Sequence, residues 1–315
     1  MVSPELGPEP IGVICGPTAV GKTSLAVALA EHLRGEIICA DSRTIYRGMD
    51  IGTAKPSAEL RARVPHHVLD IADPEDTFTV ADFQTVARRA IQDIRARGRL
   101  PLLVGGTGLY IRAVVDDLSI PRVPSDRALR DRLMTEEEAA GAGALHRRLT
   151  TLDPTAASRI HPANLRRVVR ALEVIEATGR PISEQQQRGR RALRATVIGL
   201  VAERVELYRR IDARVDQQLA VGLADETRRL LTLGIRAAAP SLQTLGYKEL
   251  AGWLQGAYGY EEAVRLLKRN TRRYAKRQLT WFRRDPRIQW IDVTDLTEAA
   301  LVARARAMMG PLRMA

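Results

Sequence analysis

Residues 16–23 read GPTAVGKT, and their spacing of Gly, four residues and Gly-Lys-Thr is that of a phosphate-binding loop. An apolar run, Ile11–Cys15, precedes this loop, and a helical pattern, 25–33, follows it. A strand that enters such a loop directs backbone N–H groups inward, and the next helix adds the positive end of its dipole. Lys22 would reach the terminal phosphates, while the Thr23 hydroxyl would bind a magnesium ion that bridges them. The stretch therefore predicts a binding site for a di- or triphosphate.

The composition is that of a globular protein with an excess of basic residues. The 315 residues are 45% hydrophobic and 27% charged, and 49 Lys+Arg against 37 Asp+Glu give a formal net charge of +12. Such an excess favours nucleic acid or an anionic membrane surface as a partner, unless it is only compositional bias. Because no signal peptide and no apolar run of about 18 residues is present, we expect a cytoplasmic protein without a membrane partner. We also expect a monomer.

The cysteine and histidine residues do not suggest a metal site. Cys15 and Cys39 lie in apolar runs that we interpret as adjacent parallel strands, which predicts buried structural thiols. His66 and His67 are neighbours at the edge of a predicted strand, so their side chains would point in opposite directions. We expect turn and packing roles for both histidines.

Strand and helix patterns alternate over about the first 115 residues and return near residue 195. Strands are predicted at 11–15, 36–40, 67–71, 100–104, 195–200 and 288–291, and helices at 80–97, 205–221, 223–233 and 261–284. From about 124 to 191 the patterns are wholly helical. We therefore predict an α/β fold, a P-loop NTPase-like parallel sheet flanked by helices, with an all-helical insertion domain. Residues 1–120 and 195–315 would form the phosphate-loop core, and residues 121–194 the insertion.

The predicted helix 261–284 carries much of the excess charge. Only Glu261 and Glu262 oppose nine basic residues. Seven of these recur at helical spacing over one broad face, namely Arg265, Lys268, Arg269, Arg272, Arg273, Lys276 and Arg277. Val264, Leu267, Tyr274 and Phe282 mark the opposite face. Since a solvated charged face normally alternates in sign, the helix is predicted to contact nucleic acid.

Asp41 opens the stretch DSRTIYRGMDIGTAKPS, 41–57, at the end of a predicted strand. A carboxylate beside a phosphate loop can orient a magnesium shell, act as a general base, or cap a turn. In a typical ATPase a strand near the loop ends in a magnesium-binding Asp, but here Val104 leads into Gly105-Gly106-Thr107 without an acid. The site is therefore predicted to hold a phosphate chain for a reaction in which the nucleophile is neither water nor a phosphoryl acceptor.

A set of motifs between residue 11 and about residue 292 resembles the bacterial tRNA dimethylallyltransferases, the tRNA adenosine isopentenyltransferase family. The motifs are GPTAVGKT, DSRTIYRGMDIGTAKPS, PHHVLDI, LPLLVGGTGLYIRA, RIHPANLRRVVRALE, LGYKEL and KRQLTWFRR, in the family's order. The resemblance implies transfer of a dimethylallyl group from dimethylallyl diphosphate to the N6 amine of an adenosine. That adenosine lies immediately 3′ of the anticodon in tRNAs reading codons that begin with U, and the product is N6-dimethylallyladenosine. The tRNA anticodon stem-loop, dimethylallyl diphosphate and Mg²⁺ would be the ligands.

The resemblance implies three catalytic residues. Asp41 would be the general base that takes the amine proton as the carbon–nitrogen bond forms. Thr18 and Arg214 would stabilise the charge that develops on the departing diphosphate, although spacing alone leaves Arg214 open as a solvated helix residue. The diphosphate or a nucleotide would bind Gly16, Pro17, Thr18, Ala19, Val20, Gly21, Lys22 and Thr23. Thr23 would be the metal ligand.

The resemblance also implies contacts with tRNA. They comprise Asp41, Ser42, Arg43, Thr44, Thr107, Arg130, Arg166, Arg167, Val168, Val169, Arg170, Leu242, Gln243, Thr244, Leu245, Gly246, Tyr247, Lys276, Arg277, Gln278, Leu279, Thr280, Trp281, Phe282 and Arg283. The match at Arg130 requires one additional residue between Thr107 and Arg130 in this chain. We expect the helical insertion to act as a mobile clamp on the anticodon arm, with a rigid cap as the alternative.

Three other functions compete with this interpretation. An adenylate isopentenyltransferase would modify a free nucleotide, but MDIGTAKP and the long basic second half favour tRNA. A P-loop small-molecule kinase is disfavoured by the missing acid after Val104. A non-catalytic RNA-binding protein that uses a nucleotide as a switch would leave Asp41, beside an intact loop, without a role.

Overall fold

Six parallel strands form one sheet in the computed structural model, which describes residues 10–185, 189 and 192–310. The strands are β1 (Ile11–Cys15), β2 (Gly35–Cys39), β3 (His66–His67), β4 (Leu100–Gly105), β5 (Ala195–Val201) and β6 (Ile288–Asp292). Their order is β3-β2-β4-β1-β5-β6, and every pairing is parallel. Residues 1–9 and the predicted end of the insertion near residue 191 lie outside the described residues. The predicted parallel sheet flanked by helices is confirmed.

The central strands are apolar because both of their faces are covered. All five residues of β1 and all six of β4 are buried. Val13 belongs to the apolar cluster on one face of the sheet, and its neighbour Ile14 to the cluster on the other. A parallel strand packed by helices on both faces has this continuous apolar pattern.

The described part of the chain also contains fourteen helices. Those of the sheet unit are α1 (Lys22–Leu33), α2 (Ala58–Arg63), α3 (Val80–Ala96), α4 (Gly108–Val115), α10 (Arg204–Ala220), α11 (Leu223–Thr232), α12 (Tyr247–Leu254), α13 (Tyr260–Phe282) and α14 (Glu298–Met309). The intervening helices are α5 (Arg127–Ala140), α6 (Ala144–Leu152), α7 (Pro154–Ala157), α8 (Leu165–Thr178) and α9 (Ile182–Gln185). Within the described part of the chain, no helix is long and apolar enough to cross a membrane.

The chain divides into two compact units. One comprises Met1–Val115 with Leu193–Ala315, and the other comprises Asp116–Ala192. The second unit, which contains α5–α9, has an apolar core of its own that includes Leu133, Leu149 and Leu172. This unit therefore has the internal packing of a small helical domain.

Two expectations about the strands are wrong. The strand predicted at 67–71 is only His66–His67, because Val68 and Asp70 have φ values of 64° and 55° that turn the chain out of the sheet. The strands that contain Cys15 and Cys39 are parallel but not adjacent, because β4 lies between β1 and β2. Both thiols are free and buried, as predicted.

Candidate active site

The phosphate loop connects the end of β1 to the start of α1, and two glycines give it its shape. Gly16 and Gly21 have φ values of 141° and 94°, which side-chain-bearing residues rarely adopt. A Cβ at Gly16 would lie 2.6 Å from the carbonyl oxygen of Leu200 on β5. The ammonium of Lys22, the first residue of α1, donates to the carbonyl oxygen of Pro17 at 2.6 Å. The loop thus encloses its own lysine.

A cavity of about 550 Å³ opens against this loop within the sheet unit. It brings together many residues that were predicted from distant parts of the sequence. Those that line it are Thr18, Ala19, Lys22, Thr23, Asp41, Ser42, Arg43, Thr44, Arg214, Gln243, Thr244, Leu245, Arg277 and Gln278. Asp41 lies two residues after the end of β2, so the parallel order of the strands explains its position beside the loop.

Three charged side chains of the cavity, those of Asp41, Lys22 and Arg214, affect one another electrostatically. Burial lowers the pKa of Lys22 to about 8, an effect that Asp41 opposes and that Arg214 adds to. Burial also lowers the pKa of Arg214, again opposed by Asp41. Asp41 itself accepts a hydrogen bond from the backbone N–H of Arg43 at 2.9 Å. The carboxylate is therefore held in place by the backbone and acts electrostatically on both cations.

Arg214 faces the phosphate loop. It lies on α10, and its guanidinium donates to the Thr18 hydroxyl at 3.3 Å. This contact joins residues 196 positions apart and lies in the cavity wall. The alternative of a solvated helix face is therefore wrong for Arg214.

Thr107 supports the segment that carries Asp41. Its hydroxyl accepts a hydrogen bond from the Ser42 N–H at 3.1 Å, and its own N–H donates to the Ala40 carbonyl at 3.2 Å. The two preceding glycines permit this approach, since a Cβ at Gly105 would lie 2.0 Å from that same Ala40 oxygen. The Gly-Gly-Thr turn after β4 therefore sets the position of the base candidate.

One buried carboxylate that the sequence did not single out shapes the MDIGTAKP segment. Glu226, on α11, accepts hydrogen bonds from the N–H groups of Asp50, Ile51 and Gly52 at 3.0, 3.0 and 3.3 Å. It also accepts from the Tyr247 hydroxyl. A Cβ at Gly52 would lie 2.3 Å from the ring of Tyr247, which explains the glycine. An acid within a helical pattern gives no sign of this role.

The lysine of the same segment is also structural. The side chain of Lys55 is only 1% exposed, and its ammonium donates to the Tyr46 carbonyl and to the carboxylates of Asp50 and Asp70. A buried ammonium with three acceptors is fully paired. Lys55 therefore joins this segment to Tyr46 and Asp70.

The predicted tRNA contacts differ in exposure. Exposed are Arg166, Arg167, Gln243, Lys276, Arg277, Thr280 and Arg283. Buried are Thr44, Val168, Val169, Leu242, Thr244, Gly246, Tyr247, Gln278 and Phe282. Arg130 and Arg170 are half-buried, and both form ion pairs with Glu173. Contact with RNA stays a prediction for all of these residues, and the exposed ones can reach a partner directly.

The basic helix α13 is partly neutralised. Lys268 forms an ion pair with Asp216 at 2.6 Å, and Arg272 lies 3.6 Å from Asp212, both acids being on α10. On this side of the helix, two basic side chains are therefore paired with acidic residues of the protein, which the sequence pattern did not predict. The exposed basic residues towards its C-terminal end are Arg273, Lys276 and Arg277.

Residues 44–285 match the sequence model of the family described as IPP transferase. The chain belongs to the IPP transferase family. A relative from Geobacillus kaustophilus named tRNA dimethylallyltransferase is 51% identical over 294 residues, which is 93% of each chain. Among IPP transferases of known structure, a full-length tRNA isopentenylpyrophosphate transferase from Bacillus halodurans is 47% identical, with a TM-score of 0.73 over 97% of each chain. A eukaryotic dimethylallyltransferase acting on tRNA is 30% identical, with a TM-score of 0.79 over 95% of this chain and 78% of its own.

The lowered pKa of Lys22 predicts how affinity for a diphosphate ligand depends on pH. Below about pH 8 Lys22 is charged in the free protein. Above that pH it loses its proton, and affinity should fall by about tenfold per pH unit because binding must then restore the charge. The two thiols do not titrate in this range, since burial raises the pKa of Cys15 and Cys39 to about 12. Calorimetric titration with dimethylallyl diphosphate between pH 6.5 and 9.5 measures the effect.

A Lys22→Arg variant is the matched control for this titration. Its guanidinium stays charged over the whole range, so weaker binding without a break near pH 8 is expected. The same break in both proteins would assign the titration to another group.

Proposed function

We propose that this chain transfers the dimethylallyl group of dimethylallyl diphosphate to the N6 amine of the adenosine next to the anticodon of tRNA. The observation that carries the proposal is a carboxylate, Asp41, that shares one cavity with an intact phosphate loop while β4 ends without a magnesium-binding acid. The names of the similar IPP transferases agree with this reaction. A cytoplasmic location rests on the proposed substrate.

The nucleophile in this reaction is weak. The lone pair of an aromatic amine is delocalised into the adenine ring, so its proton must leave as the new bond forms. The bond between the allylic carbon and the diphosphate oxygen breaks, the carbon–nitrogen bond forms, and Asp41 accepts the proton. The hydrogen bond from the Arg43 N–H to one oxygen of Asp41 orients the carboxylate for this step.

The leaving group needs positive charge. Negative charge builds on the diphosphate as the allylic bond breaks, and donors already in place stabilise it without reorganisation. Lys22, Arg214 and the Thr18 hydroxyl line the same cavity and supply these donors. A nucleotide could use the same loop, but the reaction proposed here requires only the diphosphate of the prenyl donor.

The oxygen atoms of the cavity suit Mg²⁺. Thr23 and Asp41 both line it, and hydroxyl and carboxylate oxygens are ligands that Mg²⁺ prefers. Among the described residues no group of three or more His, Cys, Asp or Glu could hold a metal alone. The diphosphate and water would therefore complete the coordination of an ion near Thr23. When bound, such an ion would neutralise charge on the leaving diphosphate.

The acceptor must present a single base to the cavity. An adenine stacked in the anticodon loop cannot reach Asp41, so it has to leave the stack. Two exposed arginines of the helical unit, Arg166 and Arg167, can contact the RNA backbone. Exposed basic side chains on α13 can do the same. We propose that the helical unit closes on the anticodon arm, and that the enzyme works as a monomer.

The choice of acceptor tests the function directly. With labelled dimethylallyl diphosphate, unmodified tRNA should become labelled, while AMP and ATP should not. Digestion of the product should place the label on N6-dimethylallyladenosine. Labelled AMP instead would establish the adenylate isopentenyltransferase, and transfer of phosphate from ATP to a small molecule would establish a kinase.

Substitution of Asp41 tests the base. Asp41→Asn keeps the size and one acceptor oxygen but loses most of the proton affinity. Single-turnover transfer should slow by about 10²–10⁴-fold, the usual contribution of a positioned general base. Affinity for tRNA should change little, and the control Asp295→Asn, at an exposed site, should leave the transfer rate unchanged. An unaltered chemical step in Asp41→Asn would reduce Asp41 to a structural or metal-shell residue.

The exposed end of α13 predicts a salt effect on tRNA binding. Lys276→Gln/Arg277→Gln removes two phosphate contacts, so the slope of log affinity against log salt should decrease by about 1.4–1.8. All eligible tRNAs should weaken alike, because phosphate contacts carry no base information. The control Arg304→Gln/Arg306→Gln removes the same charge from exposed positions on α14 and should leave the slope nearly unchanged. Equal slopes for both double variants would exclude a specific contact at this end of α13.

A further inference from the structure

One side chain of α13 spans the two loops that form the cavity. Gln278 is only 5% exposed, although it lies on the most basic helix of the chain. Its side-chain oxygen accepts a hydrogen bond from the Thr18 N–H at 2.9 Å. Its side-chain NH₂ donates to the Gly106 carbonyl at 2.9 Å. A single amide therefore joins α13 to the phosphate loop and to the turn after β4.

The Gln278 amide is hydrogen-bonded at both its oxygen and its nitrogen, and it packs closely against Gly106. A buried amide is costly unless its donor and acceptor are both satisfied, and here each end has a backbone partner. A Cβ at Gly106 would lie 2.2 Å from the Gln278 nitrogen, so that glycine leaves only enough room for this side chain. The backbone of Gly106 is outside the left-handed region, and close packing alone accounts for the glycine there.

The two backbone groups that Gln278 binds belong to opposite sides of the proposed reaction. Thr18 is on the leaving-group side, since its hydroxyl accepts from Arg214. Gly106 precedes Thr107, whose hydroxyl accepts from the N–H of the residue that follows Asp41. The Gln278 amide is therefore a direct side-chain link between the loop that would hold the diphosphate and the turn that supports Asp41.

We propose that Gln278 is a positioning residue for the transfer reaction, which rests on the function proposed above. It fixes the distance between the phosphate loop and the turn that supports Asp41. Resemblance to the family places Gln278 among the residues that contact tRNA. In this structure both of its polar ends are engaged with the protein backbone, so its effect is on alignment rather than on RNA affinity.

The Gln278→Met variant separates these roles. Methionine has nearly the same length and flexibility but can form neither hydrogen bond. Because a displacement of about 1 Å in a reacting pair can cost about 10²-fold in rate, single-turnover transfer should slow by about 10–100-fold. The dissociation constants for tRNA and for an unreactive thio analogue of dimethylallyl diphosphate should change by less than about threefold, since the groups that bind them remain. Gln289→Met, at an exposed glutamine of β6, is the matched control and should behave as the wild type.

A second variant perturbs the same bridge from the other side. Gly106→Ala should displace the Gln278 amide and slow the reaction to a similar extent. If both substitutions act through one contact, the double variant should be little slower than either single variant, whereas independent effects would multiply. Thermal unfolding of all variants checks that each protein is folded. If Gly106→Ala is unstable, the comparison of Gln278→Met with the wild type still tests the proposal.

The outcomes differ for each alternative. A raised dissociation constant for tRNA with an unchanged rate at saturation would make Gln278 an RNA contact and overturn the proposal. A lower melting temperature with an unchanged rate in the folded protein would make it a packing residue and also overturn the proposal. An active wild type with an equally fast Gln278→Met variant would overturn this inference alone. A wild type that modifies no tRNA would overturn the proposed function and this inference with it.

Discussion

The arrangement of the site depends on how closely the backbones of two strands meet where they end. A Cβ at Gly105 would lie 2.0 Å from the Ala40 carbonyl oxygen, so only glycine lets the turn after β4 lie against the residue before Asp41. That approach permits Thr107 to accept from Ser42 and so to support the base candidate. Because β1 and β4 are parallel neighbours, the phosphate loop after β1 begins at the same edge of the sheet as the turn at the end of β4. The sheet backbone thus brings Asp41 and the phosphate loop to one edge of the sheet, and the Thr107 side chain supports the segment that carries Asp41.

The charges of the cavity suit an anionic ligand. Burial lowers the pKa of both Lys22 and Arg214, and the Asp41 carboxylate opposes this shift in each of them. Taken together, Lys22, Arg214 and Asp41 carry an excess of positive charge, which a diphosphate would offset. The Pro17 carbonyl, which accepts from Lys22, is a weaker partner than a phosphate oxygen. A polyphosphate bound at this loop would therefore offset the electrostatic cost of burying the two cations.

Much of the fold could be predicted from the sequence, because buried parallel strands are continuous apolar runs and the phosphate loop has a fixed spacing. The prediction of a long third strand was wrong because positive φ values, as at Asp70, depend on contacts that no local pattern reveals. The order of the strands also could not be predicted, since the crossover that places β4 between β1 and β2 is a tertiary property. Asp41 could be selected because it follows a strand. Glu226 could not, since its partners are backbone N–H groups more than 170 positions away, and such groups leave no mark on composition.

The Glu226 contacts also have a consequence for the order in which the protein matures on the ribosome. The segment from Asp50 to Gly52 forms no regular helix or strand, and the carboxylate that binds its three N–H groups lies 174 residues after Gly52. Domains fold as they emerge from the N-terminus, at about 5–20 residues per second. The first four strands can be complete before α11 has been synthesised, yet this wall of the cavity cannot take its final shape until then. At that rate, tens of seconds separate synthesis of the phosphate loop from synthesis of the carboxylate that holds the Asp50–Gly52 segment in place.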